Sequence, residues 1–262
     1  MAGEGDSGIV YSDDFVANLE LLWGEGFLSP GGPEEIAELY RGVELTGASV
    51  LNIGSGLGTM ERILARDYGA ARVLGVDVEA HLIERATAAA RREGLAERVA
   101  FELVAPGPLP FADAGFDVVT SKDVIICIED KAAIYAEAFR VLKPGGRLIV
   151  SDWFGSAPPY SDAMRAWMDS APGHYFMETL ANTARLAETL GFLEIETRDR
   201  NDWYQGMARA ELAGLMGPKR ARLLELMGEA EAEAWVARTR SKVIAVEQGE
   251  LRPGHLRARK PG

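Results

Sequence analysis

Cysteine is almost missing from this chain: among 262 residues there is one, Cys127. A lone thiol excludes an internal disulfide framework, so the fold must rest on a packed core, and a reducing compartment is the expected setting. Histidine is scarce as well. His81, His174 and His255 stand far apart, and with one cysteine they make no metal-ligand spacing, so no metal is expected. Basic residues are outnumbered, 28 Lys and Arg against 40 Asp and Glu, for a formal net charge of -12. That balance argues against nucleic acid or an anionic membrane surface as a partner, since both need clustered cations. No apolar run approaches the roughly 18 residues of a membrane span. Residues 1–6 hold neither the basic nor the apolar stretch of a secretory leader, so a cytoplasmic protein is expected.

What is present is the pattern of a globular chain, 47% hydrophobic and 26% charged, long enough for one sizeable core. Residues 1–8 are Gly-rich and acidic and are expected to be mobile. A helical pattern over 10–29 ends in a loop holding Gly24, Gly26, Pro30, Gly31 and Gly32, and Pro33-Glu34-Glu35 opens a second helix. From about 48 to 155 apolar runs alternate with helical ones. Strands are expected at 50–53, 71–76, 99–104, 116–120 and 147–152, the last after the stop signal Lys143-Pro144-Gly145-Gly146. Such alternation implies a parallel sheet with helices on both faces and ligand sites at the carboxyl ends of its strands. Beyond it lie an extended run at 192–197, a long helical region over 208–247 and a last strand near 255–259, expected to close the sheet antiparallel. The division expected is an N-terminal helical lid over 1–45, an α/β core over 46–155 and acceptor-site helices with the last strands over 156–262. The acidic runs at Glu34-Glu35 and 229–233 read as solvated helix faces.

One stretch concentrates the chemistry. Asn52-Ile53-Gly54-Ser55-Gly56-Leu57-Gly58 follows the first strand, and Asp77-Val78 ends the second. Glycines let a bound molecule approach the backbone, and a carboxylate about twenty residues on is placed to grip ribose hydroxyls. The alternative for Asp77 is a cap on the next helix. The third glycine of a dinucleotide fingerprint is missing, because Glu61 stands there. The spacing G-x-G-x-G resembles class I S-adenosylmethionine (SAM)-dependent methyltransferases. That resemblance implies a doubly wound, mostly parallel seven-stranded α/β sheet, SAM as the methyl donor, and cofactor contacts from Gly54, Ser55, Gly56, Asp77 and Val78. Asn52 stands where many relatives carry Asp, and after the third strand Ala105 replaces an Asp that holds adenine.

A second resemblance covers nearly the whole chain. Residues 23–32, Ser121-Lys122-Asp123 and residues 251–258 are similar to the lid, the post-strand segment and the ending of phosphoethanolamine N-methyltransferases. It implies that Tyr11 works in catalysis, that Leu28, Ser29 and Lys122 meet the cofactor, and that Tyr175 and a late basic residue, Arg240 or Arg238, bind the acceptor. Departures accompany these matches: Cys127 replaces the catalytic histidine, Leu19 a lid aromatic, Trp153 a phosphate-binding tyrosine and Gly173 a phosphate-gripping arginine. Losing two phosphate donors, each worth roughly 1.5–3 kcal/mol, makes phosphoethanolamine an unexpected substrate.

Asp123 is a candidate for orienting an acceptor amine, or else a helix N-cap. Trp153 offers a π face to a cation, or else packs in the core. Cys127, standing in for the catalytic histidine, is expected to border the acceptor; flanked by Ile126 and Ile128, it is read as a small buried hydrophobe and not as a nucleophile. The expected activity is N-methylation of a small amine. S-methylation of a thioether such as methionine, O-methylation of a natural product, and SAM binding without catalysis stand as alternatives. The partner is a small-molecule acceptor, and the chain is a monomer or homodimer.

Overall fold

The structure is a computed structural model and describes residues 11–171 and 173–262; the expectation for residues 1–8 lies outside them. One seven-stranded sheet has the order β3-β2-β1-β4-β5-β7-β6. Its strands are β1 Ser49–Ile53, β2 Arg72–Asp77, β3 Val99–Leu103, β4 Phe116–Lys122, β5 Leu142–Gly155, β6 Leu193–Asp199 and β7 Leu251–Arg259. The first five pair in parallel, and β7 runs antiparallel to both β5 and β6. The last strand therefore lies between β5 and β6 and does not close the sheet at its edge; β6 is the edge.

Consecutive strand residues point to opposite faces, and the central strands are apolar on both. Leu51, Val119 and Val150 join Ile134, Tyr135, Ala138 and Ala187 in one core. That core lies under α5 (Lys131–Val141) and α7 (Leu180–Thr189). Their sequence neighbours Val50, Val118 and Ile149 join Ile36, Leu39, Ile63 and Leu64 in the other, beneath α2 (Gly32–Leu39) and α3 (Thr59–Asp67). Each such side chain contributes about 1.5–3 kcal/mol on burial. Two-sided burial is why these strands read as unbroken apolar runs.

The N-terminal helix is α1 (Asp13–Trp23), shorter than expected because Ser12 caps it, its side chain accepting from Phe15 N. The remaining helices are α4 (Ala80–Arg92), α6 (Asp162–Asp169), α8 (Asn201–Met216) and α9 (Arg220–Glu247). The long helix expected over 208–247 is thus two. Gly217-Pro218 interrupts it, since proline restricts the residue before it, and Gly228 at φ 76° breaks α9 again. Phe15 stacks edge-on to Trp235 at 5.5 Å. Lys219 Nζ donates to the carbonyls of Leu21 and Leu22 at 2.8 and 2.9 Å, so the C-terminal end of α1 meets a cation. Glu35 is not solvated. It is 3% exposed and accepts from Arg200 and pairs with His255 Nε2 at 2.7 Å.

Candidate functional site

The strand order reverses between β1 and β4, and an open parallel sheet has its crevice at that point. The loop after β1 is pinned there: Gly54 N and Ser55 N both donate to Val76 O, at 2.8 and 2.9 Å. Gly54 has φ 80°, and a Cβ on it would stand 2.2 Å from Val124 Cγ2; no other residue fits. Gly58 N-caps α3 without any side-chain partner, leaving backbone N–H groups for an incoming acceptor.

Asp77 ends β2. Its Oδ2 accepts from Gly56 N at 2.8 Å and its Oδ1 from Glu79 N at 3.1 Å. Burial raises its carboxyl pKa, against the lowering effect of those N–H groups. Glu79, not Asp77, is the N-cap of α4, so Asp77 ties the glycine loop to the β2 end. Beside it, Val78 and Leu103 at the ends of adjacent strands are 54% and 56% exposed. Such an apolar pair suits the face of a planar heterocycle, and it stands where no Asp is available. Leu103 has no signal in sequence beyond its place at a strand end.

The segment after α1 folds over this crevice. Leu28 Cδ1 lies 3.0 Å from where a Gly56 Cβ would be and packs with Val16, Leu57, Leu82 and Tyr11. Lys122 Nζ, at the end of β4, donates to Ser29 Oγ at 2.6 Å, to Pro30 O at 3.1 Å and to Asp123 Oδ2 at 2.6 Å. Asp123 has φ 58°, a conformation disfavoured for a residue with a side chain. Val124, not Asp123, is the N-cap of the short 3-10 turn at Ile125–Cys127, so the capping alternative for Asp123 does not hold.

Next to the crevice is a cavity of about 70 Å3. Tyr11, Asp123, Cys127, Trp153, Tyr175 and Arg238 all line it, together with Leu28 and Ser29. Its walls are aromatic. Trp153 meets Tyr204 edge-on at 4.8 Å, and Trp167 lies 4.9 Å from Tyr175. Arg238 sits over Trp167 and Tyr175 at 5.5 and 5.8 Å and donates to Tyr175 Oη at 3.0 Å. Arg240 is exposed, its nearest polar contact being Met216 Sδ at 3.9 Å. Two residues along a helix is about 200° of rotation, which puts Arg238 on the cavity side and Arg240 on the far one.

Cys127 also departs from its expectation. Its surface is exposed, opening into the cavity instead of packing in a core. Desolvation first, and Asp152 second, push the thiol up to about 11. Burial likewise raises the Tyr11 phenol well above its ordinary value, with Cys127, Tyr175, Asp77 and Asp123 adding to it. Both groups stay protonated near neutrality and donate hydrogen bonds instead of taking protons.

Sequence reasoning missed the cavity's deep polar layer. Lys242 Nζ donates to Glu211 Oε2 at 2.6 Å, and the two side chains are 8% and 5% exposed. Trp23 Nε1 donates to Glu211 Oε1 at 2.8 Å, and Tyr204 Oη lies within 3.1 Å of both oxygens. A Lys and a Glu 31 residues apart in a charge-rich helical stretch give no sign of pairing. Asp152, Trp167 and Trp235 were equally unremarkable.

Residues 45–210 match the family described as a methyltransferase domain. The chain belongs to that family. This methyltransferase is 29% identical over 222 residues to phosphoethanolamine N-methyltransferase 1 of Triticum aestivum, covering 84% of this chain and 44% of that protein. It is 36% identical over 126 residues to methyltransferase GfsG of Streptomyces halstedii, covering 48% of this chain and 45% of that one. The chain spans about half the length of such curated relatives. Among solved structures, it superposes on Haemonchus contortus phosphoethanolamine N-methyltransferase 2, in complex with phosphomonomethylethanolamine and S-adenosylhomocysteine, with a TM-score of 0.87 and 24% identity. That match covers 96% of this chain and 59% of the other. A putative sarcosine dimethylglycine methyltransferase from Galdieria sulphuraria gives a TM-score of 0.83 at 20% identity, covering 95% and 97%. The expected class I fold is the fold found.

Proposed function

We propose that this methyltransferase uses SAM to methylate the nitrogen of a small amine other than phosphoethanolamine. The residues present fit the donor. The glycine loop leaves a cradle that a Cβ would fill, and Ser55 Oγ is buried there without a partner. Gly54, Ser55 and Gly56 would hold the amino-acid tail, Asp77 the ribose, and Val78 with Leu103 the adenine, while Leu28, Ser29 and Lys122 close the lid side. When bound, SAM supplies an electrophilic methyl group on a sulfonium.

The acceptor side carries the finer reading on one observation. The cavity sets Asp123 among the rings of Trp153, Trp167 and Tyr175, while Glu211 neutralises Lys242. Among the described residues lining it, Arg238 is the cation without a carboxylate partner. A phosphate dianion needs several charge-assisted donors, and the single guanidinium of Arg238, in a cavity it shares with the carboxylate of Asp123, is a poor match. An ammonium group suits the carboxylate and the indole faces, at roughly 0.5–2 kcal/mol for the latter. With Tyr11 and Cys127 both protonated, Asp123, whose Oδ2 already accepts from Lys122 Nζ, has its Oδ1 to orient the amine and receive its proton before an in-line displacement.

Incubation with methyl-labelled SAM and a panel of amines, thioethers, phenols and phosphoethanolamine tests this. An amine should become labelled fastest. Preferential labelling of phosphoethanolamine or of a thioether overturns the acceptor reading. Tight binding of S-adenosylhomocysteine with no labelled product across the panel would instead mark a binding protein.

A further inference from the structure

Beneath the glycine loop lies a polar cluster in which Asn52 and Glu61, used by none of the contacts above, join Ser55. Asn52 Nδ2 donates to Glu61 Oε1 at 2.7 Å, and both side chains are buried, at 2% and 0% exposure. Each has one oxygen left over. Asn52 Oδ1, Glu61 Oε2 and Ser55 Oγ are all buried without a hydrogen-bond partner among the described residues. The side chains that carry them are neighbours: Asn52 bonds Glu61, and a Cβ built on Gly75 would lie 2.5 Å from Glu61 Oε1 and 2.7 Å from Ser55 Cβ. Three orphaned oxygens on neighbouring buried side chains cost free energy unless donors join them. A buried carboxylate that lacks a cationic partner costs more.

Position 52 is where the resemblance places an Asp, and Asn52 carries no charge. The negative charge sits instead in the first turn of α3, at Glu61, hydrogen-bonded to the residue that lost it. We propose that Asn52 and Glu61 together form a split anchor for the ammonium group of the cofactor's methionine tail. Glu61 supplies the charge, Asn52 fixes the carboxylate, and a water bound by the orphaned oxygens links them to the ammonium. Glu61 is a positioning residue and does not touch the reacting atoms. This rests on the reading that SAM is the methyl donor.

Glu61 is set among few charges. Asp77 on β2 and Tyr40 at the C-cap of α2 are the titratable groups of neighbouring elements that act with it, and Arg62 follows it on α3. Burial pushes its carboxyl up to about 7, against the Asn52 hydrogen bond. The anchor is therefore charged above that pH and neutral below it.

Calorimetry compares S-adenosylhomocysteine with methylthioadenosine, which keeps the nucleoside and thioether but lacks the amino-acid tail. In the unaltered protein, affinity for the first should rise by up to roughly tenfold from about pH 6 to about pH 8, while affinity for the second stays flat. Glu61→Gln should weaken S-adenosylhomocysteine by roughly tenfold at about pH 8, remove that pH dependence, and leave methylthioadenosine within about twofold. The double variant Asn52→Asp, Glu61→Gln returns the charge to β1 and should restore affinity to within about threefold. Near-ultraviolet circular dichroism verifies that each variant is folded. Equal losses for both ligands, or an unchanged preference for the tailed ligand in Glu61→Gln, overturn the anchor. Failure of both ligands to bind the unaltered protein overturns the cofactor reading itself.

Discussion

The pair Lys242 and Glu211 ties the floor of the aromatic-walled cavity to α1 through Trp23, and its removal has a calculable cost. Replacing Lys242 by Met keeps most of the packing volume but strips the ammonium from a carboxylate that is 5% exposed. Trp23 Nε1 and Tyr204 Oη still donate to Glu211, so the residual site is polar but uncompensated in charge. Breaking one partner of such a buried pair costs about 3–5 kcal/mol. For a chain of this size that lowers the melting temperature by about 6–20 °C. Glu211→Gln leaves Lys242 buried without a counter-charge and should cost a similar amount. Combining the two removes both charges while the Gln carbonyl still accepts from Trp23 and Tyr204. The double variant should therefore be more stable than either single one, with a coupling energy above about 2 kcal/mol. Equilibrium urea unfolding of the four proteins measures this cycle at one pH. Additive penalties, or a double variant less stable than both singles, would show that the two charges do not compensate each other and would refute the electrostatic account of the cavity floor.

Other outcomes follow from the same geometry. Asp77→Ala removes the acceptor for Gly56 N and the proposed ribose contacts, each worth roughly 1.5–3 kcal/mol; calorimetry should find S-adenosylhomocysteine bound more than tenfold more weakly, and unchanged affinity would displace Asp77 from the site. With its thiol pushed up to about 11 from an ordinary value of 9.0, Cys127 should react with iodoacetamide at about pH 7.5 roughly a hundredfold more slowly than an unperturbed thiol. A rate matching a free thiol, read by mass spectrometry, would contradict the desolvated wall. Glu35 has its pKa raised by burial but lowered further by hydrogen bonds from His255 and Arg200, for a net drop below 4.5. A lowered carboxylate contributes stability above its unfolded pKa and loses it as pH falls through the folded one. Glu35→Gln should therefore cost about 3 kcal/mol at neutral pH, with the gap narrowing as unfolding is measured progressively below about pH 4.5; a constant gap would dissociate the His255 contact from folding stability.

The alternation of apolar and helical runs, the stop at Lys143-Pro144-Gly145-Gly146 and the glycines at 54, 56 and 58 were enough to specify a doubly wound sheet and the end of it where the crevice lies. These are local features: strand burial on both faces and a positive φ are imposed on single residues, so they are written in residue type. The lid residues Tyr11, Leu28 and Ser29 were legible through resemblance, and they do reach the cavity.

Tertiary structure decided the rest, because charge pairing and exposure depend on which distant segments meet. Glu35 and Glu211 look like solvated acids until Arg200, His255 and Lys242 are brought to them. Arg238 and Arg240 are indistinguishable in sequence, and the rotation of one helix selects between them. Cys127 lies between two isoleucines, yet the 3-10 turn delivers it to the cavity wall while Ile125 and Ile126 are buried. The order of the last two strands was equally out of reach, since β7 can slot between β5 and β6 only once both strands exist to hydrogen-bond it.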